Sequence, residues 1–317
     1  MAQRNVSLSY QTPHLDMSDF IDRIKHDAFK GDYLTRLLYL NIGVFLLYSI
    51  SNAFLTLLTG QMGLIPRLAD DLLALPSTPW KLATRPWTLL TYMFTHFSFR
   101  HILFNMLILY FSGKMLIEYL GEKRMLALYI YGGIGGGLLY IILYNISPIL
   151  GAGSMVGASA GTIAVLVAGA MYLPNMPVRL WGIFEVKYWM LAAGIVLLDI
   201  LSLTGSNAGG HIAHIGGAIV AYFFIRSMRN GHEWNVYLFQ VIDAVRNTLY
   251  RNSRKRKGFK FGERNYTKYE EVKTKKSDTQ KTDTAKMDAI LDKIKDKGYD
   301  SLSKEEKAYL FKISKDQ

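Results

Sequence analysis

Charge is absent from three long stretches of the chain. Leu37 to Pro66 is a run of 30 uncharged residues, Met125 to Val178 a run of 54, and Ile200 to Ile225 a run of 26. A helix needs ~20 apolar residues to cross a bilayer core, whereas a helix on a soluble domain keeps one solvated face. These runs predict an all-α polytopic membrane domain over residues 37–228. Six transmembrane spans are expected, near 38–60, 101–121, 125–146, 157–174, 187–204 and 211–228. The longest run must hold two of them, broken by Asn145-Ile146-Ser147-Pro148 and Gly151-Ala152-Gly153. Residues 1–36 are polar and read as a cytoplasmic segment without a cleavable signal peptide. The first loop, about 61–100, mixes leucines with Asp70, Asp71 and prolines. A loop of that length is expected to be functional or disordered.

The pattern changes after the last span. Trp234, Leu238, Val241, Val245 and Leu249 recur at helical spacing, as in a helix lying on the cytoplasmic membrane surface. Residues 229–285 are therefore read as an interfacial helix followed by a basic linker, with 258–285 too polar to bury a core. In 286–317, Met287, Ile290, Leu291 and Ile294 form a short apolar stripe ahead of Gly298. Ser303-Lys304-Glu305-Glu306 then reads as a capping box opening a second helix. A small helical hairpin is expected there.

Composition matters mainly for where its charge falls. The chain of 317 residues carries a formal +12, but residues 226–317 hold 23 of its 37 basic and 14 of its 25 acidic groups. The basic balance belongs largely to the tail, so it is an orientation signal and predicts no nucleic-acid partner. By the positive-inside rule, Lys123-Arg124, Arg179 and Arg251 to Lys257 place both termini in the cytoplasm. The cluster Arg254-Lys255-Arg256-Lys257 could attract anionic lipid at ~1 kcal/mol per basic residue; a plain topology anchor is the simpler reading. With no cysteine there is no disulfide, thiolate metal site or cysteine nucleophile.

Polar residues inside spans are functional candidates by default. His96 precedes the second span, and His101 and Asn105 share one face of it, four residues apart. The fourth span opens with Gly157-Ala158-Ser159-Ala160-Gly161, which puts Ser159 near a helix N-terminus able to stabilise an oxyanion. His211 and His214 open the sixth span. Each cluster alone has a plainer explanation. A glycine-flanked serine is more often a packing residue, and two histidines with an asparagine also suit a hydrogen-bond network or a proton path. A histidine pair three apart with no carboxylate nearby makes a poor metal site, and neither metal nor cofactor is expected. Of the other charges within spans, Glu118 reads as a structural acceptor, while Lys114 and Asp199 have no assigned role. Together, however, a serine, a base and oxyanion donors at one depth are what acyl transfer requires.

From about Trp87 to Arg226 the sequence resembles the rhomboid family of intramembrane serine proteases. His96, His101 and Asn105 match the family's second-span residues, Ser159 its G-x-S nucleophile, and Ala213-His214 its last-span histidine. The resemblance implies a rhomboid-like bundle of six helices. Ser159 would be the nucleophile and His214 the base, a dyad without a carboxylate. His101, Asn105 and His96 would stabilise the oxyanion, with the Ser159 N–H. Gly157, Gly161, Gly217 and Ala221 are the small residues expected to let the fourth and sixth spans approach. Ala160, Ile163, Thr88 and Ala221 depart from residues common in the family. The implied activity is hydrolysis of membrane proteins near the outer end of a transmembrane span. The implied setting is a bacterial plasma membrane, with the bilayer and a substrate's span as partners. Two alternatives are a non-catalytic rhomboid-like chaperone or scaffold, which Ser159 and His214 together argue against, and a transporter, which would need charges relayed through the bilayer.

Overall fold

In the computed structural model, residues 17–180, 184–256, 289–290, 292–294, 298 and 301–313 are described. The chain divides into two compact units at Asn247 and Thr248. The larger is built on helices. A peripheral helix α1 (Met17–Lys30) leads into α2 (Tyr33–Thr59), which starts on an Asp32 cap: its Oδ1 accepts from the Thr35 N–H at 2.7 Å. After the first loop come α6 (Phe99–Leu120), α7 (Glu122–Ile146), α8 (Ser159–Tyr172), α9 (Tyr188–Leu201) and α10 (Ala208–Arg229), followed by α11 (Trp234–Arg256).

Helices occupy all six expected span positions, but they are not equivalent. Four of them, α2, α6, α7 and α10, are long and apolar enough to cross a membrane. The fourth and fifth, α8 and α9, have only 14 residues each. At 1.5 Å per residue they reach ~21 Å, short of a hydrocarbon core of ~30 Å. The six spans expected from the sequence thus stand as four helices of spanning length and two shorter apolar ones. Apolar run length overstates α8 because its last residues leave the helix at Leu173, ahead of Pro174. The chain then makes a hairpin of β3 (Pro177–Leu180) and β4 (Phe184–Lys187), with Val178 opposite Val186.

Helix α8 is almost entirely enclosed by protein, with Ala160, Ala164, Val165 and Ala168 packed among Tyr129 and Tyr140 of α7 and Ala213, Ala221 and Phe224 of α10. Its opposite side, through Ile163, Leu166 and Ala170, meets Tyr188 and Ala192 of α9. By contrast α2 buries only Leu34, Leu37 and Asn41 and exposes Leu47, Ile50, Phe54 and Leu57. In water such a surface would be costly; against lipid it is not.

The long first loop is folded. It comprises α3 (Leu64–Leu73), β1 (Leu75–Pro76), α4 (Pro79–Thr84), α5 (Thr88–Thr91) and a 3-10 turn at Tyr92–Phe94. Strand β1 pairs with β2 (Ser154–Met155), Leu75 facing Met155. The Ser77 N–H donates to the Gly153 carbonyl at 2.9 Å, and the Gly153 N–H returns a bond to Ser77 Oγ at 3.0 Å. The loop is thereby stitched to the segment that delivers Ser159.

At the other end of the bundle, Arg124 Nε donates to Glu233 Oε2 at 2.9 Å, and this bond holds the Glu233 carboxyl below its usual range. Tyr131 OH donates to the Trp234 carbonyl at 3.1 Å. The start of α11 is therefore docked, while Val241, Val245 and Leu249 stay exposed, the apolar stripe read from the sequence. In the smaller unit, the Ser303 N–H donates to Glu306 Oε2 at 2.7 Å and the Glu306 N–H to Ser303 Oγ at 3.2 Å, so the expected capping box forms. Ile290 and Leu302 are buried. The linker expected over 258–285, and Lys257, Met287 and Leu291, lie outside the described residues.

Candidate active site

A cavity of about 600 Å³ opens between α6, α8, α9 and α10, and its lining includes His101, Asn105, Ser159, Asp199 and His214. Ser159 is the first residue of α8, and Ala158 before it makes no side-chain cap. The leading N–H groups of a helix have no intrahelical acceptor, so this end presents free donors and the positive end of the dipole beside the serine hydroxyl. The turn that delivers it depends on Gly157, whose φ of +125° is one that side chains rarely adopt. A Cβ there would lie 2.5 Å from His101 Cε1. Only glycine lets the His101 ring lie against this turn.

The helix-packing residues divide their work differently from the sequence expectation. Gly217 does make the approach of α10 to α8, since a Cβ on it would lie 2.2 Å from the Ala160 carbonyl oxygen. Gly161 instead faces α7, 2.6 Å from the Tyr129 carbonyl by the same measure, and Gly157 faces α6. Ala221 is wholly buried in the core. The seam has a third member that sequence reasoning missed: a Cβ on Gly136 of α7 would lie 2.5 Å from the Ala213 carbonyl. Five glycines between Gly132 and Gly137 were its available signal.

His96 and Asn105 also separate in role. His96 is fully buried and is not part of the cavity lining. Its Nε2 lies 3.2 Å from Asn105 Nδ2 and accepts from the Ala158 N–H at 3.3 Å. An Nε2 that accepts cannot donate to an oxyanion, so in this arrangement His96 braces the turn before Ser159. His96 precedes α6, outside the spanning helices. Burial first, and His101 second, pull its imidazole down to about 3, which keeps it neutral. Asn105 Nδ2 also donates to the His101 carbonyl at 3.0 Å. Both of its amide hydrogens are thus engaged in the resting site, and one must be released to meet an oxyanion.

The histidine pair of α10 has a carboxylate beside it. Asp199 Oδ1 accepts from His214 Nδ1 at 2.8 Å and from His211 Nδ1 at 2.7 Å. This corrects the expectation that no carboxylate lies near the histidine pair. Helices α9 and α10 form a hairpin across residues 202–207, so a residue near the end of one meets residues near the start of the other. That hairpin spacing was the signal available for Asp199. The three ligand atoms lie within 4.8 Å of one another. Ligands around a tetrahedral zinc sit roughly 3.3 Å apart; contacts of 2.7 and 2.8 Å are those of hydrogen bonds.

A histidine hydrogen-bonded through Nδ1, a serine on a helix N-terminus in the same cavity, and a histidine and asparagine on the facing helix occur on the sixth, fourth and second apolar helices in that order. Residues 83–230 match the Rhomboid domain family. That stretch, just under half of the chain, is a rhomboid domain. Among its relatives, RHOMBOID-like protein 12, mitochondrial, of Arabidopsis thaliana is 32% identical over 45% of this chain and 47% of that protein. Presenilin-associated rhomboid-like protein A, mitochondrial, of Danio rerio is 30% identical over 44% and 36%. RHOMBOID-like protein 5 of Arabidopsis thaliana is 30% identical over 43% and 42%. The matches span less than half of either partner's length. The first two relatives are mitochondrial by name, at odds with the bacterial plasma membrane expected from the sequence; that assignment is withdrawn. What stands is an integral membrane protein with a rhomboid domain. Residues 268–316 match a family described as of unknown function (DUF6576).

Proposed function

We propose that the chain is an intramembrane serine endopeptidase in which Ser159 is the nucleophile and His214 the general base. The observation that carries this reading is the shared cavity: Ser159, at the uncapped start of α8, and His214, with Nδ1 engaged, line it together with His101 and Asn105. His101, Asn105 and the Ser159 N–H serve the oxyanion, and His96 supports them from behind. The substrate class is a membrane protein with a transmembrane span, cut near its outer end. Helix α8 completes the bundle from within the protein, while α9 lies at its edge with Leu197, Leu198, Ile200 and Leu201 facing lipid, and both termini are cytoplasmic. The basic segment that closes α11 meets anionic lipid, and no nucleic acid is bound.

The test is labelling of the detergent-solubilised chain with a fluorophosphonate serine probe, beside Ser159→Ala and His214→Ala. Labelling of the unmodified chain and its loss in both variants is expected. Equal labelling of all three, or none in the unmodified chain, would refute the protease reading and leave a non-catalytic binder of membrane spans.

A further inference from the structure

Asp199 sits two residues from the end of α9 and is 4% exposed. Its second carboxylate oxygen, Oδ2, is buried with no hydrogen-bond partner. A buried carboxylate is costly unless it is paired and hydrogen-bonded. Here the compensation comes from two imidazoles one helical turn apart on α10, both donating from Nδ1 to the same oxygen. Their rings meet edge-on at 83°, with centroids 5.9 Å apart. A packing role would not place an acidic group here, since an apolar residue would fill the same space at no desolvation cost.

We infer that Asp199 is the positioning residue of the base, making the site a serine–histidine–aspartate array with His211 as a second clamp on the carboxylate. The inference rests on the protease reading above. With Nδ1–H committed to Asp199, the His214 tautomer is fixed and the Nε2 lone pair is left for Ser159. Ser159 Oγ bonds to the scissile carbonyl carbon as its proton passes to Nε2 and the carbonyl π pair moves to oxygen. When the tetrahedral species collapses, the C–N bond breaks and the proton passes from Nε2 to the leaving amine. Water then repeats the sequence on the acyl-serine. Asp199 keeps its charge throughout and stabilises the transient imidazolium. His211 is absent from the cavity lining. Its contribution is to occupy the other acceptor direction of Oδ1 and hold the carboxylate in orientation.

The experiment measures the fluorophosphonate labelling rate of the full chain from pH 5 to 9 for the unmodified protein, Asp199→Asn, Asp199→Ala and His211→Gln. Thermal unfolding is followed in parallel. Asp199→Ala should slow labelling on the order of 100-fold, the scale of a disabled general base. Asp199→Asn, nearly isosteric, should fold normally and move the acid limb of the profile to lower pH. Loss of a neighbouring negative charge makes an imidazolium less favourable. The ionisable groups around His214 are Asp199 from α9, His211 on its own helix, and His101 and Arg100 from α6, which also line the cavity. Only Asp199 differs between the unmodified chain and the asparagine variant, so the displacement reports that group. His211→Gln should slow labelling less than Asp199→Ala does. A downfield Nδ1 proton resonance from His214, present in the unmodified chain and lost in Asp199→Ala, gives a readout independent of turnover. If Asp199→Asn labels at the unmodified rate with an unmoved profile while Ser159→Ala and His214→Ala stay dark, the positioning role is overturned and the protease reading survives. If the unmodified chain does not label, both fall.

Discussion

At the scale of single residues, His96 has a measurable consequence of its own. It is fully buried and neutral, with its proton affinity drawn down to about 3, whereas an unfolded histidine titrates near 6.5. Below that value the unfolded chain takes up a proton that the folded chain refuses. Stability contributed by neutral His96 is therefore present above about pH 6.5 and is lost as pH falls toward 3, by up to ~1.4 kcal/mol per pH unit. The unfolding temperature in detergent should drop between pH 7.5 and 5, and His96→Gln should have a lower midpoint but a flatter slope. An unchanged slope in the variant would assign the sensitivity to other groups. His96 also shows what was legible in the sequence. Its place beside His101 and Asn105 was, because all three lie within ten residues. Its role as an acceptor was not, because that depends on the Ala158 N–H, 62 positions away. Asp199 was missed for a related reason: a lone carboxylate in an apolar run has no period to mark its partner, and only the α9–α10 hairpin brings it to His214.

At the scale of elements, the site depends on how closely α10 lies against α8. Gly217 sets that distance, since the Ala160 carbonyl oxygen already occupies the space next to its Cα. Backbone cannot yield as a flexible side chain does. Gly217→Ala should therefore lower stability by roughly 1–3 kcal/mol, the usual cost of overpacking. It should also slow labelling at temperatures where the variant is still folded, because His214 rides on the displaced helix. Ala221→Gly provides the comparison: it costs ~1 kcal/mol in helix propensity but inserts nothing between helices, so labelling of the folded protein should hold. Equal labelling losses in the two variants would show that stability, not helix spacing, governs the rate. The seam was half legible. Small residues at Gly157, Gly161 and Gly217 announced close approach, but in a span that is hydrophobic all round no polar face tells which helix each one meets. Gly161 meets α7 and Gly157 meets α6. The lengths of α8 and α9 were hidden similarly, because Leu173-Pro174 and Ser202-Leu203-Thr204 continue the uncharged runs after each helix has ended.

At the scale of the whole molecule, the chemistry and the charge belong to different parts of the chain. Every residue lining the cavity lies between Ser98 and His214, inside the unit that ends at Asn247. The residues holding the start of α11, Arg124, Glu233, Tyr131 and Trp234, also lie within it. Among the described residues, none after His214 lines the cavity. A chain ending at Arg256 retains the docked part of α11 and three of the four residues of the basic cluster. It should label at Ser159 within about twofold of the full chain, the ±0.5 kcal/mol expected of changes remote from a site. Comparing labelling rates of the two chains, first in detergent and then in vesicles containing anionic lipid, checks this. A large loss in detergent would mean that the tail contributes to the fold of the rhomboid domain. A loss confined to vesicles would tie 257–317 to placement of the domain at a charged membrane surface, and equal rates in both would leave the tail free for a task separate from cleavage.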